Sequence, residues 1–342
     1  MPNPKTVVIG YGYAGRSFHS YLVGLTPGLT LHGISSRSAE TRERIQQERG
    51  CKAYISFEEV IADPDVDLVV LATPHDTHAD LAMRALDAGK HVVTDKVMCL
   101  NLAECEQMVA TAERAGKLLS VFHNRRWDGD FLTVQKLMQD GELGNVRWIE
   151  MAWQNWGPPR NWRGTAAAGG GRFYDLGAHM MDQLLVLFPQ PVKSVYCCMH
   201  HDFPTHDVES HALIVVEFAD GATGVIDASS MAAVSKPRFR VLGDKATFVK
   251  YGVDPQEVAM RAGAIDGAAY DPAAYGRLYN GQVERPIATI PGRWRNYYEN
   301  IADVLNQGAT PAIQLSEMRR LMAVLDAAQA SAREGRVVHV QG

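Results

Sequence analysis

Residues 7–15 read VVIGYGYAG: a β-branched run, then glycines spaced Gly10-x-Gly12-x-x-Gly15, then the start of a helical pattern, AGRSFHSYLVGL. The spacing has a mechanical reading. The first glycine makes a tight turn, the second lets a pyrophosphate approach the backbone, and the third lets helix and strand pack closely, with the helix N-terminus aimed at the phosphates. A ligand-free glycine turn can carry the same letters, so context decides. Here the motif opens the chain, sits inside a β-α-β unit, and is followed by further such units.

Those units extend to Asn124. Apolar runs TVVIG, LTLHGISS, DLVVLATP, HVVTDK and LLSVFHN alternate with amphipathic stretches, and Gly50, Gly89 and Gly116 fall where helices should stop. Nearly continuous apolar strands, each followed by a helix, predict a parallel sheet covered on both faces, hence a doubly wound α/β domain over residues 1–124. Beyond residue 125 the rhythm changes to VRWIEMAW, KSVYCCMH, SHALIVVEF, TGVIDASS and RFRVLG, several joined by turns such as Asp220-Gly221. This predicts a second α/β domain, 125–342, on a large, open, mainly antiparallel sheet. A late helix is expected from a Ser316 cap to about Gly335, and RVVHVQ as a last strand, both packing back on the first domain. The stretch GTAAAGGG at 164–171 reads as flexible.

Composition narrows the classes. A chain of 342 residues exceeds what one core usually supports, and 46% apolar with 21% charged residues is ordinary for a globular protein. A net charge of -5, with both signs dispersed, leaves no basic stripe for nucleic acid. The start, MPNPKTVVIGYGYAG, lacks a signal-peptide core and no run of about 18 apolar residues follows, so no membrane role and a cytoplasmic location are expected. Cys51, Cys99, Cys105, Cys197 and Cys198 form no C-x-x-C pair and read as reduced core thiols.

The second run ends in GISSRS, where an NAD-binding domain commonly places an acid on the ribose 2′-hydroxyl. Ser35, Ser36 and Arg37 stand there instead. A guanidinium forks onto phosphate oxygens that a carboxylate would repel, so NADP is expected, with NAD the alternative. Arg37 as a solvated loop residue is the plainer reading.

Acid/base chemistry points to GGGRFYDLGAHMMDQLLVLFP at 169–189. A helix from about Tyr174 to Phe188, stopped by Pro189, puts Asp175, His179 and Asp182 on one stripe with Gln183 beside it, and the rest is apolar or glycine. Such a helix is buried, and an imidazole beside a carboxylate has its tautomer and orientation set; a narrow wet edge is the bland reading. Gly177 would let a backbone or ligand come close. Lys96, in HVVTDKVMCL, closes a first-domain strand, at the end of open α/β sheets where ligands bind, although strand-end lysines commonly just reach solvent.

These pieces, in this order, resemble the glucose-fructose oxidoreductase and inositol dehydrogenase family, Gfo/Idh/MocA. The resemblance runs over essentially the whole chain through VVIGYGYAG, ATPHDTHADLAMRALDAGKHVVTDK, VFHNRRWDGDF and GGGRFYDLGAHMMDQ. With FVKYGVDPQEVAMRAG at 248–263, it looks most like NADP-dependent scyllo-inositol dehydrogenases. It implies a Rossmann domain, a second open-sheet domain, and a substrate held between nicotinamide and the second domain's helix. It assigns Lys96, Asp175 and His179 to binding and activating a ring hydroxyl. It assigns Thr73, Pro74 and His78, with Trp162 and Arg163 of NWR, to the cofactor beside Gly10, Gly12, Tyr13, Ala14, Gly15, Ser35, Ser36, Arg37 and Lys96. Where the family usually reads Glu-Lys-Pro this chain has Asp95, Lys96 and Val97, which shortens a carboxylate and disfavours a cis peptide.

The expected activity is therefore NADP-dependent, reversible oxidation of a secondary hydroxyl of a sugar, inositol or related polyol by hydride transfer. His179 is the expected base, Asp175 its orienting group, and Lys96 a hydrogen-bond donor to the same oxygen. Asn124, Arg125, Trp153 and Trp162 are candidates for the substrate wall. Two alternatives stand: an enzyme that keeps its cofactor and oxidises a sugar only transiently before elimination or glycoside cleavage, and a non-catalytic NADP sensor. His200, His201, Asp202, His206, Asp207 and His211 are dense but fit no compact ligand spacing, so no metal is expected. The resemblance implies a homodimer or homotetramer.

Overall fold

The computed structural model of the chain describes residues 2–340. It divides into two compact units, Met1–His123 with Trp294–Arg319, and Asn124–Arg293 with Arg320–Gly342.

In the first unit β1 (Lys5–Ile9), β2 (Thr30–Ser35), β3 (Lys52–Tyr54), β4 (Leu68–Leu71), β5 (His91–Thr94) and β6 (Leu119–Val121) form a parallel sheet in the order β3-β2-β1-β4-β5-β6. Val7, Val8, Val69, Val70, Val92 and Val93 are fully buried, as strands covered on both faces require. The order reverses between β1 and β4, which makes the carboxyl ends of those strands the expected ligand position. Helix boundaries follow the sequence signals: the Ser38 and Asn101 side chains accept the N–H groups of Thr41 and Glu104, and Gly50 and Gly116 end their helices in the left-handed region. Strand β3 and the helix Phe57–Ala62 lie outside the runs read from sequence.

The element that closes this unit was not expected. Helix Arg295–Gln307 inserts the fully buried Tyr297 and Tyr298, whose hydroxyls lie 2.9 Å from Ser120 Oγ and 2.7 Å from His19 Nδ1. The sequence reading gave such a return to the last helix and strand. Instead β15 (Val338–His339) pairs with β8 (Val192–His200), and of helix Leu315–Glu334 only the first turns, up to Arg319, belong to the first unit. Amphipathicity alone does not say which sheet a helix covers.

Among the described residues the second unit holds nine strands in the order β14-β13-β12-β11-β7-β10-β9-β8-β15. The others are β7 (Val146–Gln154), β9 (His211–Phe218), β10 (Thr223–Ser229), β11 (Phe239–Gly243), β12 (Thr247–Lys250), β13 (Gly276–Tyr279) and β14 (Glu284–Ile287). All neighbours are antiparallel except β7 and β10. Alternate residues of β9 are buried, the signature of a sheet with one covered face. Helix Ala178–Leu187 lies on that face so tightly that a Cβ at Gly224 of β10 would stand 2.5 Å from Leu184.

Three local readings are corrected. Helix Leu315–Glu334 starts before Ser316, so that serine sits in its first turn and does not cap it. The glycines of 164–171 are packed while Thr165, Ala166 and Ala167 are exposed: a Cβ at Gly164 would stand 2.4 Å from His206 and one at Gly170 2.4 Å from the Arg163 carbonyl. At Gly177 a Cβ would make only ordinary contacts of 3.6 Å and beyond, so no close backbone approach explains it. All five cysteines are free, with Cys99, Cys105 and Cys197 buried, and among the described residues no helix is long and apolar enough to cross a membrane.

Candidate active site

The glycine loop fits a dinucleotide. Gly10 has φ +95°, and a Cβ there would stand 2.6 Å from the Ala72 carbonyl; one at Gly15 would stand 2.1 Å from the Gly10 carbonyl. A Cβ at Gly12 would meet nothing within 4 Å. Two glycines are therefore demanded by the fold, while the third keeps open the space a pyrophosphate needs. Tyr13 is exposed at the mouth of the loop, its ring edge-on to Phe18, and Ala14 begins a π turn, Ala14–His19, that leads into helix Ser20–Leu25. At the end of β2, Ser35 is buried, Ser36 half-buried and Arg37 exposed, and Arg42 donates to the carbonyls of Ser36 and Arg37, fixing that rim.

After β4, Thr73 and Pro74 are half-buried, and Thr77 bonds both the Thr73 hydroxyl and the Pro74 carbonyl. His78 has a different place from the one implied by resemblance. It is fully buried, with Nδ1 2.8 Å from the Val97 carbonyl and Nε2 3.1 Å from the Thr73 carbonyl, so it braces two loops and offers no ring surface to a cofactor. Burial pushes its pKa down.

Lys96 is 8% exposed at the end of β5, and its backbone N–H donates to Asp95 Oδ1. The Lys96–Val97 peptide is cis, contrary to the expectation from Val97; the local preference counted in sequence is opposed by a fully buried Val97 whose carbonyl His78 holds. Asp95 Oδ2 faces the His19 ring at 3.5 Å, and His19 in turn meets Tyr298. Burial disfavours the Asp95 charge, but His19, Lys96 and His78 outweigh it and hold the carboxyl well below the usual carboxylate range. Sequence reading missed this layer of His19 and Tyr298, 279 positions apart.

In the second unit the expected helix begins as a π turn, Phe173–Gly177, before Ala178–Leu187. Wider turns break the simple i, i+4 stacking of Asp175 beneath His179. Asp175 is held by Arg163 Nε at 3.1 Å and Arg172 NH1 at 3.2 Å, and Arg163 also lies 4.6 Å from the Trp162 ring. The Trp162-Arg163 pair thus joins the Asp175 end of the site. Glu209, invisible in sequence as a site residue, accepts the N–H of Phe173 and fills the space that a side chain at Gly171 would need. Burial pushes its carboxyl up.

His179 is 7% exposed, and its ring stacks on Trp153 with centroids 5.8 Å apart and planes inclined by 25°. Trp153 also carries Arg125 at 4.7 Å. Arg125 is buried against Glu257 at 2.8 Å and Asp128 at 3.7 Å, so it is a support of the wall rather than a free donor. Asn124 is buried, and among the described residues its Nδ2 has no hydrogen-bond partner. Asp182 forms a two-point pair with Arg126, at 2.7 and 2.9 Å.

The histidine-rich segment is dispersed into separate contacts. His206 Nε2 meets the Pro159 carbonyl, Asp207 accepts the Ala166 N–H, His211 pairs with Asp227, and Asp202 bonds Ser210.

With this geometry in place, the comparisons fix the class. Residues 5–123 match the oxidoreductase family with an NAD-binding Rossmann fold, and residues 131–249 match the GFO/IDH/MocA C-terminal domain. The chain belongs to the Gfo/Idh/MocA family and is an oxidoreductase with an NAD-binding Rossmann domain. It is 34% identical over 340 residues to YdgJ of Escherichia coli K12, an uncharacterized oxidoreductase, covering 97% of both chains. It is 30% identical over 348 residues to the scyllo-inositol 2-dehydrogenase (NADP(+)) IolW of Bacillus subtilis, covering 98% of this chain and 96% of IolW. The crystal structure of an NAD-binding protein from Listeria innocua superposes with a TM-score of 0.85 at 30% identity, covering 100% of this chain and 98% of that one.

Proposed function

We propose that this protein is an NADP-dependent dehydrogenase that reversibly oxidises a secondary hydroxyl of a neutral sugar, inositol or related polyol. The observation that carries the reading is His179: an almost buried imidazole on a helix whose other polar side chains are only Asp182 and Gln183, stacked on a tryptophan, in a chain similar along its length to a scyllo-inositol dehydrogenase.

In this reading His179 takes the proton of the reacting hydroxyl and Lys96 donates a hydrogen bond to the same oxygen as negative charge develops on it. Asp175, with Arg163 and Arg172, fixes the start of the helix that carries His179. The Asn124 amide donates to a substrate hydroxyl. When bound, the cofactor supplies the acceptor for the hydride. The loop of Gly10, Gly12 and Gly15 would hold its pyrophosphate, and Ser36 and Arg37 its 2′-phosphate. A neutral substrate is favoured because Arg125, Arg126 and Arg163 each already face a carboxylate, Glu257, Asp182 and Asp175.

The test is absorbance at the reduced-nicotinamide band with NADP or NAD against inositols, aldoses and their phosphates. The expected result is reduction of NADP by a neutral polyol. Product formation with no net reduction of added cofactor, or preference for NAD, would overturn the corresponding part of the reading.

A further inference from the structure

The polar stripe on the helix of His179 contains two residues the mechanism leaves unused, Asp182, which pairs with Arg126, and Gln183. Gln183 is fully buried. Its Nε2 donates to the Arg125 carbonyl at 2.7 Å, and its Oε1 accepts from Arg238 NH2 at 2.6 Å. Arg238, just ahead of β11, is 2% exposed, and its guanidinium carbon lies 5.3 Å from the centre of the Trp153 ring. Arg125 lies 4.7 Å from the same ring. One indole therefore receives two guanidiniums and the His179 imidazole, and one amide ties both arginines to the helix that carries His179.

Burying a guanidinium is costly unless it is paired, and Arg238 has no carboxylate in salt-bridge contact among the described residues. Its opposing charges are Asp130 and Asp128, acting at longer range, and burial pushes its pKa down against them. A chain that sought only a filled core would place an apolar side chain here. What the guanidinium adds is orientation: a cation over an indole resists rotation of the ring, and its donor is locked by Gln183.

We propose that Arg238 and Gln183 are positioning residues for the reaction, acting through Trp153 to hold the His179 ring in the plane from which it accepts the substrate proton. The proposal rests on His179 being the base. The guanidiniums of Arg125 and Arg238 lie over the indole on which His179 stacks, and fixed positive charge near an imidazole favours its neutral, proton-accepting form. Removing one of them should raise the pH at which the base becomes active. The groups that share this surrounding are Asp175 and Asp182 on the helix, Arg126 beside Arg125, Asp128 and Asp130 at the next helix, and Glu257 on Arg125.

The test compares Arg238→Met, Arg238→Lys, Gln183→Met and His179→Gln in the full-length protein, with kcat, KM for polyol and NADP, and the pH profile of kcat/KM. Misplacing a base by a fraction of an ångström costs about tenfold or more, so Arg238→Met should lower kcat about tenfold or more with both KM values within about twofold. The acidic limb should move to higher pH, and Arg238→Lys should restore part of both effects. Gln183→Met keeps both charges, so it should lower kcat with the acidic limb in place; it also serves if Arg238→Met does not fold. Wild-type kcat and pH profile in folded Arg238→Met or Gln183→Met, with His179→Gln inactive, would overturn the positioning role alone. Full turnover by His179→Gln would instead overturn the underlying assignment of the base.

Discussion

The imidazole Nδ1 of His78 lies 2.8 Å from the carbonyl oxygen of Val97, the residue after Lys96. A histidine that resemblance would place on the cofactor is thus a brace under the loop that presents the lysine. His78→Ala removes two buried hydrogen-bonding contacts and opens a cavity, so it should cost about 2–4 kcal/mol of stability and lower kcat through misplacement of Lys96. His78→Gln, which can still reach one carbonyl, should lose less of both. Chemical denaturation and steady-state kinetics on the two variants check this; equal stability of His78→Ala and wild type would refute it.

The glycine loop separates what the fold needs from what the ligand needs. Gly12→Ala should fold with an unchanged unfolding midpoint, because its Cβ meets open space, yet bind NADP about tenfold or more weakly. Gly15→Ala should lose stability, because its Cβ would be driven into the Gly10 carbonyl. Titration with the reduced cofactor, followed by its fluorescence, alongside thermal unfolding distinguishes the two.

Much of this was legible in residues near each other in sequence. Gly10, Gly12 and Gly15 identified the turn, Gly50 and Gly116 the ends of two helices, and the largely apolar residues 174–188 a buried helix. What stayed hidden depends on long-range packing. No local pattern pairs His19 with Tyr298, Gly171 with Glu209, or Gln183 with Arg238. The π turns at Ala14–His19 and Phe173–Gly177 were hidden too, since apolar periodicity at 3.6 residues does not register one widened turn.

Acid should destabilise the protein partly through His91. Burial first, and the Lys117 charge second, push its pKa down to about 4, and its Nδ1 accepts the Leu118 N–H. In the unfolded chain this imidazole titrates near 6.5. Between about 6.5 and about 4 the unfolded state binds a proton that the folded state refuses, so the contribution is complete above that window and is lost as pH falls through it. Urea midpoints between pH 7 and 4.5 should fall less steeply in His91→Asn than in wild type; parallel curves would contradict this.

Arg126 and Asp182 form a buried two-point pair with side chains 10% and 3% exposed. Asp182→Ala would leave a guanidinium buried without its main partner and should cost about 3–5 kcal/mol, whereas replacing both residues with apolar ones should cost much less. A double-mutant cycle in denaturant reads the difference.

Arg37 is the exposed residue on which the proposed preference for NADP rests. Arg37→Glu should shift the NADP-to-NAD ratio of kcat/KM by about a hundredfold toward NAD, by losing a charge-assisted contact and adding a repulsive one. An unchanged ratio would remove Arg37 from the 2′-phosphate site.

The most direct measurement of the central claim is NADP reduction by an oxidisable inositol in wild type, Lys96→Ala and His179→Gln, with cofactor binding measured on the same samples. Loss of turnover by about a hundredfold or more in both variants, with NADP still bound, is the expected result. Undiminished turnover in either variant would contradict it.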